Sequence, residues 1–114
     1  MNFDASEKYK KAYSKVGEYR AKTTPVATFA PNALGLYQMS GNVWEWCADH
    51  WHENYKGAPD DGSAWTSGGD SSRRVVRGGS WLGIPNYCRA ASRYWDNSDD
   101  WFSYLGFRLA CPVT

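Results

Sequence analysis

Three kinds of side chain in this sequence could do chemistry: thiols, imidazoles and one carboxylate set among aromatic rings. Cys47, Cys88 and Cys111 form an odd set without the CxxC spacing of zinc sites or dithiol oxidoreductases, so at most one internal disulfide is available. His50 and His52 are the only histidines. Their i, i+2 spacing puts both rings on one strand face if a strand runs that far, and such a pair without further ligands is usually a surface feature. Glu45 stands between Trp44 and Trp46. A carboxylate there is costly to bury unpaired, so it has to meet a cation, a metal ion or several backbone donors, or lie in water on an edge strand.

A fourth signal is aromatic. The 114 residues include seven Trp, eight Tyr and four Phe, and every Trp falls between positions 44 and 101. Trp and Tyr join a large apolar face to a polar handle, which suits cores that reach the surface and faces that contact a partner. The length fits one domain, residues 1–114, able to bury roughly two-thirds of the surface its unfolded chain exposes. Thirteen Lys and Arg against twelve Asp and Glu leave a net charge of +1, so neither nucleic acid nor acidic lipid is the expected partner. No stretch approaches the ~18 apolar residues of a membrane span, so no membrane insertion is expected, and nothing assigns a compartment.

The elements that must position these groups follow from turn residues and two-residue alternation. Residues 5–22 are basic and polar and read as a loop or short exposed helix. Pro25 biases Thr24 toward extended geometry, and Val26, Thr28 and Phe29 can form a short strand. Val43 to Asp49 alternates as a strand; residues 53–72 are a long loop rich in Gly, Asp and Ser, with Trp65 as its anchor. Residues 74–77 read as a strand ended by Gly78-Gly79. Residues 88–93 and 106–110 read as two more, with a loop of Asp, Asn, Ser and aromatics over 94–105.

The order of motifs says more than any one of them. Asn32 to Tyr37, Gly41-Asn42-Val43-Trp44-Glu45-Trp46, Arg77-Gly78-Gly79-Ser80-Trp81, Arg89-Ala90-Ala91 and Gly106-Phe107-Arg108 together resemble the formylglycine-generating enzyme (sulfatase-modifying factor) domain family over residues 23–111. The resemblance implies an α+β variant of the C-type lectin fold, irregular, with small antiparallel sheets and long ordered loops. The family's upstream half, with a helix and an Arg-Leu-Pro-Thr-Glu-like motif, has no counterpart here, so the domain reads as shortened at its N-terminus. The surface such a half covers would be open to self-association.

Enzymes of that family use two cysteines a few residues apart, after the Gly-Gly-Ser-aromatic motif, to bind copper. This segment is Leu82 to Tyr87 with Cys88 alone at its end, so the resemblance implies neither a copper site nor catalysis. Cys88 stands as a structural residue, either bonded to Cys47 or a buried free thiol. Family members also bind calcium through carbonyl and carboxylate oxygens. Carried over by position, one site uses Gln38, Gly41, Val43 and Glu45, with Gln38 where the family has Asn or Asp. A second uses Asn2, Phe3, Glu18 and Arg20, with Phe3 and Arg20 giving backbone oxygens.

Residues 77–110 further resemble the variable region of proteins diversified by retroelements, in which a constant frame holds positions rewritten at adenines, chiefly in asparagine codons. Such rewriting cannot yield Lys, Glu, Gln or Met. None of these occurs in 82–105, against thirteen in the other ninety positions. Trp95 and Trp101 break the asparagine-codon rule, which excludes Trp as well, but are reachable from an Arg AGG codon by one adenine change. The candidate ligand-binding positions are Leu82, Gly83, Ile84, Tyr87, Ser92, Tyr94, Trp95, Asp96, Asp100, Trp101, Phe102, Ser103 and Tyr104. Aromatics interleaved with Asp, Ser and Asn resemble antibody paratopes, and the expected ligand is a macromolecule, most simply a protein. One or two of the aromatics, Trp95 first, are expected to pack beneath the loop instead.

Overall fold

The computed structural model describes residues 1–13 and 15–111. Its framework is one four-stranded sheet of β1 (Trp44–Trp51), β2 (Asp70–Arg77), β3 (Arg93–Asn97) and β4 (Leu105–Gly106), in the order β3-β2-β1-β4. β1 and β2 draw on Trp, Val and Cys, side chains that suit a pleated, half-buried surface. They pair antiparallel, Glu45 opposite Arg77 and Trp46 opposite Val76, and the register slips between Trp46 and His50 at a bulge. β2 pairs antiparallel with β3, whereas β4 runs parallel to β1. A parallel neighbour needs a long crossover, and the chain between β1 and β4 supplies it, carrying β2 and β3 on the way.

The helical parts are single 3-10 turns at Glu7–Tyr9, Val26–Thr28 and Pro85–Cys88. No helix among the described residues is long and apolar enough to cross a membrane. Side chains alternate across the sheet. On one face Cys47, Asp49, Val75, Arg77 and Arg93 lie under the 52–69 loop. Trp65 anchors that loop as expected: its ring stacks on His52 at 3.5 Å, and its backbone N–H donates to Asp49 Oδ1. Among the described residues Trp44, Val75, Val76 and Cys88 form the buried apolar core, Val76 completely, with the buried Pro85 next to Cys88 in its turn.

A polar knot joins the chain's beginning to the sheet. Asn42 Oδ1 accepts from Thr24 N and Asn2 Nδ2, its own N–H donates to Asn2 O, and its carbonyl accepts from Trp81 N. Asn42 sits at φ 70°, a left-handed conformation that asparagine tolerates better than most residues. Beside it Gly41 has φ 82°, and a Cβ there would drive into the Asn2 backbone.

Three local expectations change. In place of the strand, Val26–Thr28 form a 3-10 turn, because Thr28 donates through both N and Oγ1 to Pro25 O. Cys88 closes the Pro85 turn instead of opening a strand: Ser92 Oγ donates to Asn86 O, and the ladder begins only at Arg93. The last strand is two residues long, since Arg108 leaves the ladder to reach Glu45. Of the two alternatives for Cys88 the structure takes the second: it is not bonded to Cys47 and is a buried thiol.

Candidate functional site

On the sheet face opposite the 52–69 loop, a cleft of about 260 Å³ opens above Trp44. Trp44 is the first residue of β1 and buried. Tyr94 and Asp96 come from β3, where the two-residue period turns both side chains to the face shared with Val76 and Arg74 of β2. Leu82, Gly83 and Tyr87 come from the connection after β2, and Tyr104 from the residue before β4. Tyr87 and Tyr94 lie tilted over Trp44 at ring distances of 6.1 and 6.4 Å. The buried Ser80 completes the lining; its Oγ accepts from Leu82 N.

The frame motifs pin this segment at three points. Arg77 donates to the carbonyls of Ala90 and Ser92. Trp81 Nε1 reaches Ser103 O at 3.4 Å. Arg108 grips Glu45 with two nitrogens and also bonds the carbonyls of Tyr37 and Gln38. Gly79, at φ 72°, is required where the turn at Pro85–Cys88 docks: a Cβ would sit 2.7 Å from Cys88 Sγ.

The cleft is negative. Burial raises the Asp96 pKa, and the neighbouring Asp100 carboxylate raises it further. Burial also raises the Tyr104 phenol, with Asp96, Asp100 and Tyr94 adding to the shift. The described ion pairs, Arg20 with Glu18, Arg73 with Asp70 and Arg108 with Glu45, involve neither Asp96 nor Asp100.

Of the thirteen candidate positions, Leu82, Gly83, Tyr87, Tyr94, Asp96 and Tyr104 line this one cleft. Phe102 stacks on Tyr104 at 5.0 Å, next to it. Trp101 is 87% exposed in the same loop. Ile84 is half-buried ahead of the Pro85 turn, Ser92 bonds Asn86, and Asp100 accepts from Asn97 N and Nδ2 to hold the turn after β3. Ser103 serves through its carbonyl. Trp95 points to the other face, with the Arg73 guanidinium 3.8 Å from its ring centre. Two lining residues, Trp44 and Ser80, were absent from the sequence candidates. Their place inside the frame motifs was the available signal.

Elsewhere, Glu45 does meet a cation, the Arg108 guanidinium. Gln38 Oε1 and Asn2 Oδ1 are buried without a hydrogen-bond donor among the described residues, and oxygen acceptors of that kind suit a hard cation. Glu18 is engaged by Arg20 at 3.3 Å, and Phe3 and Arg20 line a neighbouring groove. His52 points its two ring nitrogens at His50 O and Ser67 O, each at 3.0 Å, and His50 Nδ1 faces Gly68 O. The imidazoles thus hold the loop. Among the described residues no group of three or more His, Cys, Asp or Glu is placed to hold a metal. Burial pushes the Cys88 thiol up to about 11 and raises that of Cys47 as well.

Comparison with known proteins gives this geometry its context. A formylglycine-generating enzyme of Thermomonospora curvata is 40% identical over 93 residues, 77% of this chain and 31% of that protein. The serine/threonine-protein kinase Pkn1 of Chlamydia trachomatis is 36% identical over 101 residues, 88% of this chain and 16% of the kinase. Among solved structures, PvdO from Pseudomonas aeruginosa superposes with a TM-score of 0.71 at 43% identity, over 75% of this chain and 33% of PvdO. Treponema denticola variable protein 1 superposes with a TM-score of 0.64 at 34% identity, over 80% of this chain and 32% of that protein. The chain thus spans a third or less of each of these relatives. The fold is that of the formylglycine-generating-enzyme type, and the resemblance to variable proteins holds in three dimensions. The model of the sulfatase-modifying factor enzyme 1-like domain matches residues 2–113, and the chain belongs to that family.

Proposed function

We propose that this protein is a non-enzymatic binding protein, diversified by a retroelement, that presents an aromatic-rich face on a C-type-lectin scaffold to a protein ligand. The observation that carries the reading is convergence: six of the candidate rewritable positions line one cleft over Trp44 and Ser80 of the frame, while Arg77, Trp81 and Arg108 hold the segment and its surroundings from outside the lining. The likeness to Treponema denticola variable protein 1 supports it. Fold alone assigns no activity, and relatives named as enzymes share only part of their length with this chain. Against an oxidase stands the chemistry of Cys88, a buried thiol whose raised pKa suppresses the reactive thiolate. Stoichiometric copper or iron in the purified protein would contradict this part of the reading.

Calcium belongs to the proposal as a scaffold ion. At the first site it would take Gln38 Oε1 with the carbonyls of Gly41 and Val43, and would share the Glu45 carboxylate with Arg108; the unpartnered Gln38 oxygen supports this. The second set, Asn2, Phe3, Glu18 and Arg20, offers the unpartnered Asn2 Oδ1. The test of the main reading is sequence variation. In copies of this gene from many isolates of its host, substitutions should concentrate at the cleft and loop positions of 82–104. Arg77, Trp81 and Arg108 should stay fixed. Variation spread evenly over 1–114 would overturn the proposal.

A further inference from the structure

We infer that the cleft above Trp44 is a receptor for an organic cation, namely the ammonium or guanidinium group of a lysine or arginine side chain offered by the protein ligand. The inference rests on the binding role argued above and names the chemistry of what enters. A volume of about 260 Å³ lies below the ~300 Å³ where pockets for drug-sized molecules begin, so the cleft takes one side chain or a small ion.

The walls select the charge. Trp44, Tyr87, Tyr94 and Tyr104 surround the space, with Tyr87 and Tyr94 tilted over Trp44. Ring faces carry negative quadrupole charge and attract cations, Trp most strongly. Asp96 adds a carboxylate to the same lining. No cation of the described chain answers it. Arg74, its cross-strand neighbour on β2, turns its guanidinium to Ser71 O at 2.6 Å. Arg73 lies over Trp95 on the opposite face and pairs with Asp70. Asp100 stands close enough to hold the Asp96 proton more tightly, and both carboxylates do the same to Tyr104. A bound cation relieves that repulsion; a neutral group of the same shape leaves it in place.

The protein itself allows the test, by NMR titration with acetyl-Gly-Arg-Gly-amide, acetyl-Gly-Lys-Gly-amide and tetramethylammonium, against acetyl-Gly-norvaline-Gly-amide as the neutral control. We expect saturable shifts at Trp44 and Tyr94 with the cationic probes, and at least tenfold weaker binding of the control. Asp96→Asn and Tyr94→Leu should each weaken the cationic probes about fivefold or more and leave the control unchanged. Tetramethylammonium binding as tightly as the peptides would make the source a free small cation and keep the chemistry. Equal binding of charged and neutral probes, or no binding of any, would overturn the inference in the unaltered protein, whatever the variants do. A locus varying at adenine codons without cation preference would sink this inference alone, and cation preference at an invariant locus would sink only the reading of diversification.

Discussion

Trp101 and Tyr104 separate binding from stability. Trp101 is almost fully exposed, and Tyr104 stacks on Phe102 at the cleft while its backbone carbonyl accepts from Trp44 N. Replacement by Ala keeps that backbone bond, so Trp101→Ala and Tyr104→Ala should each cost less than about 1 kcal/mol of stability. Both should abolish binding of a protein ligand selected on this face; a large fall in melting temperature in both would make these rings structural. Asp96 gives a pH signature. Its carboxyl pKa is raised in the folded state, so its charge opposes folding once the pH exceeds the folded pKa, and that penalty disappears below the ordinary aspartate value of about 4. Asp96→Asn should therefore raise the melting temperature at pH 7, and the advantage should shrink as the pH falls through that window. An advantage independent of pH would show that charge is not the cause. At this scale the sequence is readable where a residue type is out of place: Glu45 between two Trp demanded a counter-charge and has Arg108. It did not show that Asn42 ties together Asn2, Thr24 and Trp81, since one Asn in a turn looks like any other.

Arg108 is the lever among the elements. It lies two residues beyond β4, binds Glu45 at the start of β1 and bonds the carbonyls of Tyr37 and Gln38. Both side chains of the pair are partly exposed, 36% for Arg108 and 19% for Glu45, so screening removes part of the electrostatic gain. The carbonyls and the carboxylate would still lose their donor. Arg108→Ala should cost about 1–3 kcal/mol, read by urea denaturation, and Arg108→Lys should recover only part because it lacks the planar fork. A variant as stable as the parent would show that the pair does not hold β4. β1 and the Trp65-anchored loop were legible because their composition and turn residues agreed. β3 was displaced in the reading, since Arg93-Tyr94-Trp95-Asp96 is large on both faces and shows no apolar alternation. Arg93 and Trp95 are satisfied by stacking, on Trp51 and Tyr55 in one case and under Arg73 in the other, a pairing that periodicity does not encode.

The whole molecule carries more surface than its mass requires. Its 12.9 kDa predict about 6,300 Å² for a compact monomer. It exposes 7910 Å². The excess of roughly 1,600 Å² is twice the ~800 Å² that each partner hides in a standard interface. Part of it is apolar: Leu34, Phe107 and Leu109 are 82%, 71% and 89% exposed, and Arg108 draws the 107–109 segment beside Tyr37 and Gln38. A second copy covering the exposed Phe107 and Leu109 should appear as concentration-dependent dimerisation in sedimentation, weakened by Leu109→Glu; a monomer at every concentration would contradict it. The fold itself came through the order of motifs, because the irregular loops between them carry no periodic signal. Whether residues 82–104 are a rewritten binding face on a fixed frame is decided by the nucleotide sequence of the gene's flanks. A near-copy of codons 77–110 that differs from the gene only at adenines, beside a reverse-transcriptase gene, is the expected finding. Flanks without such a copy, or a copy differing at all four bases alike, would contradict it.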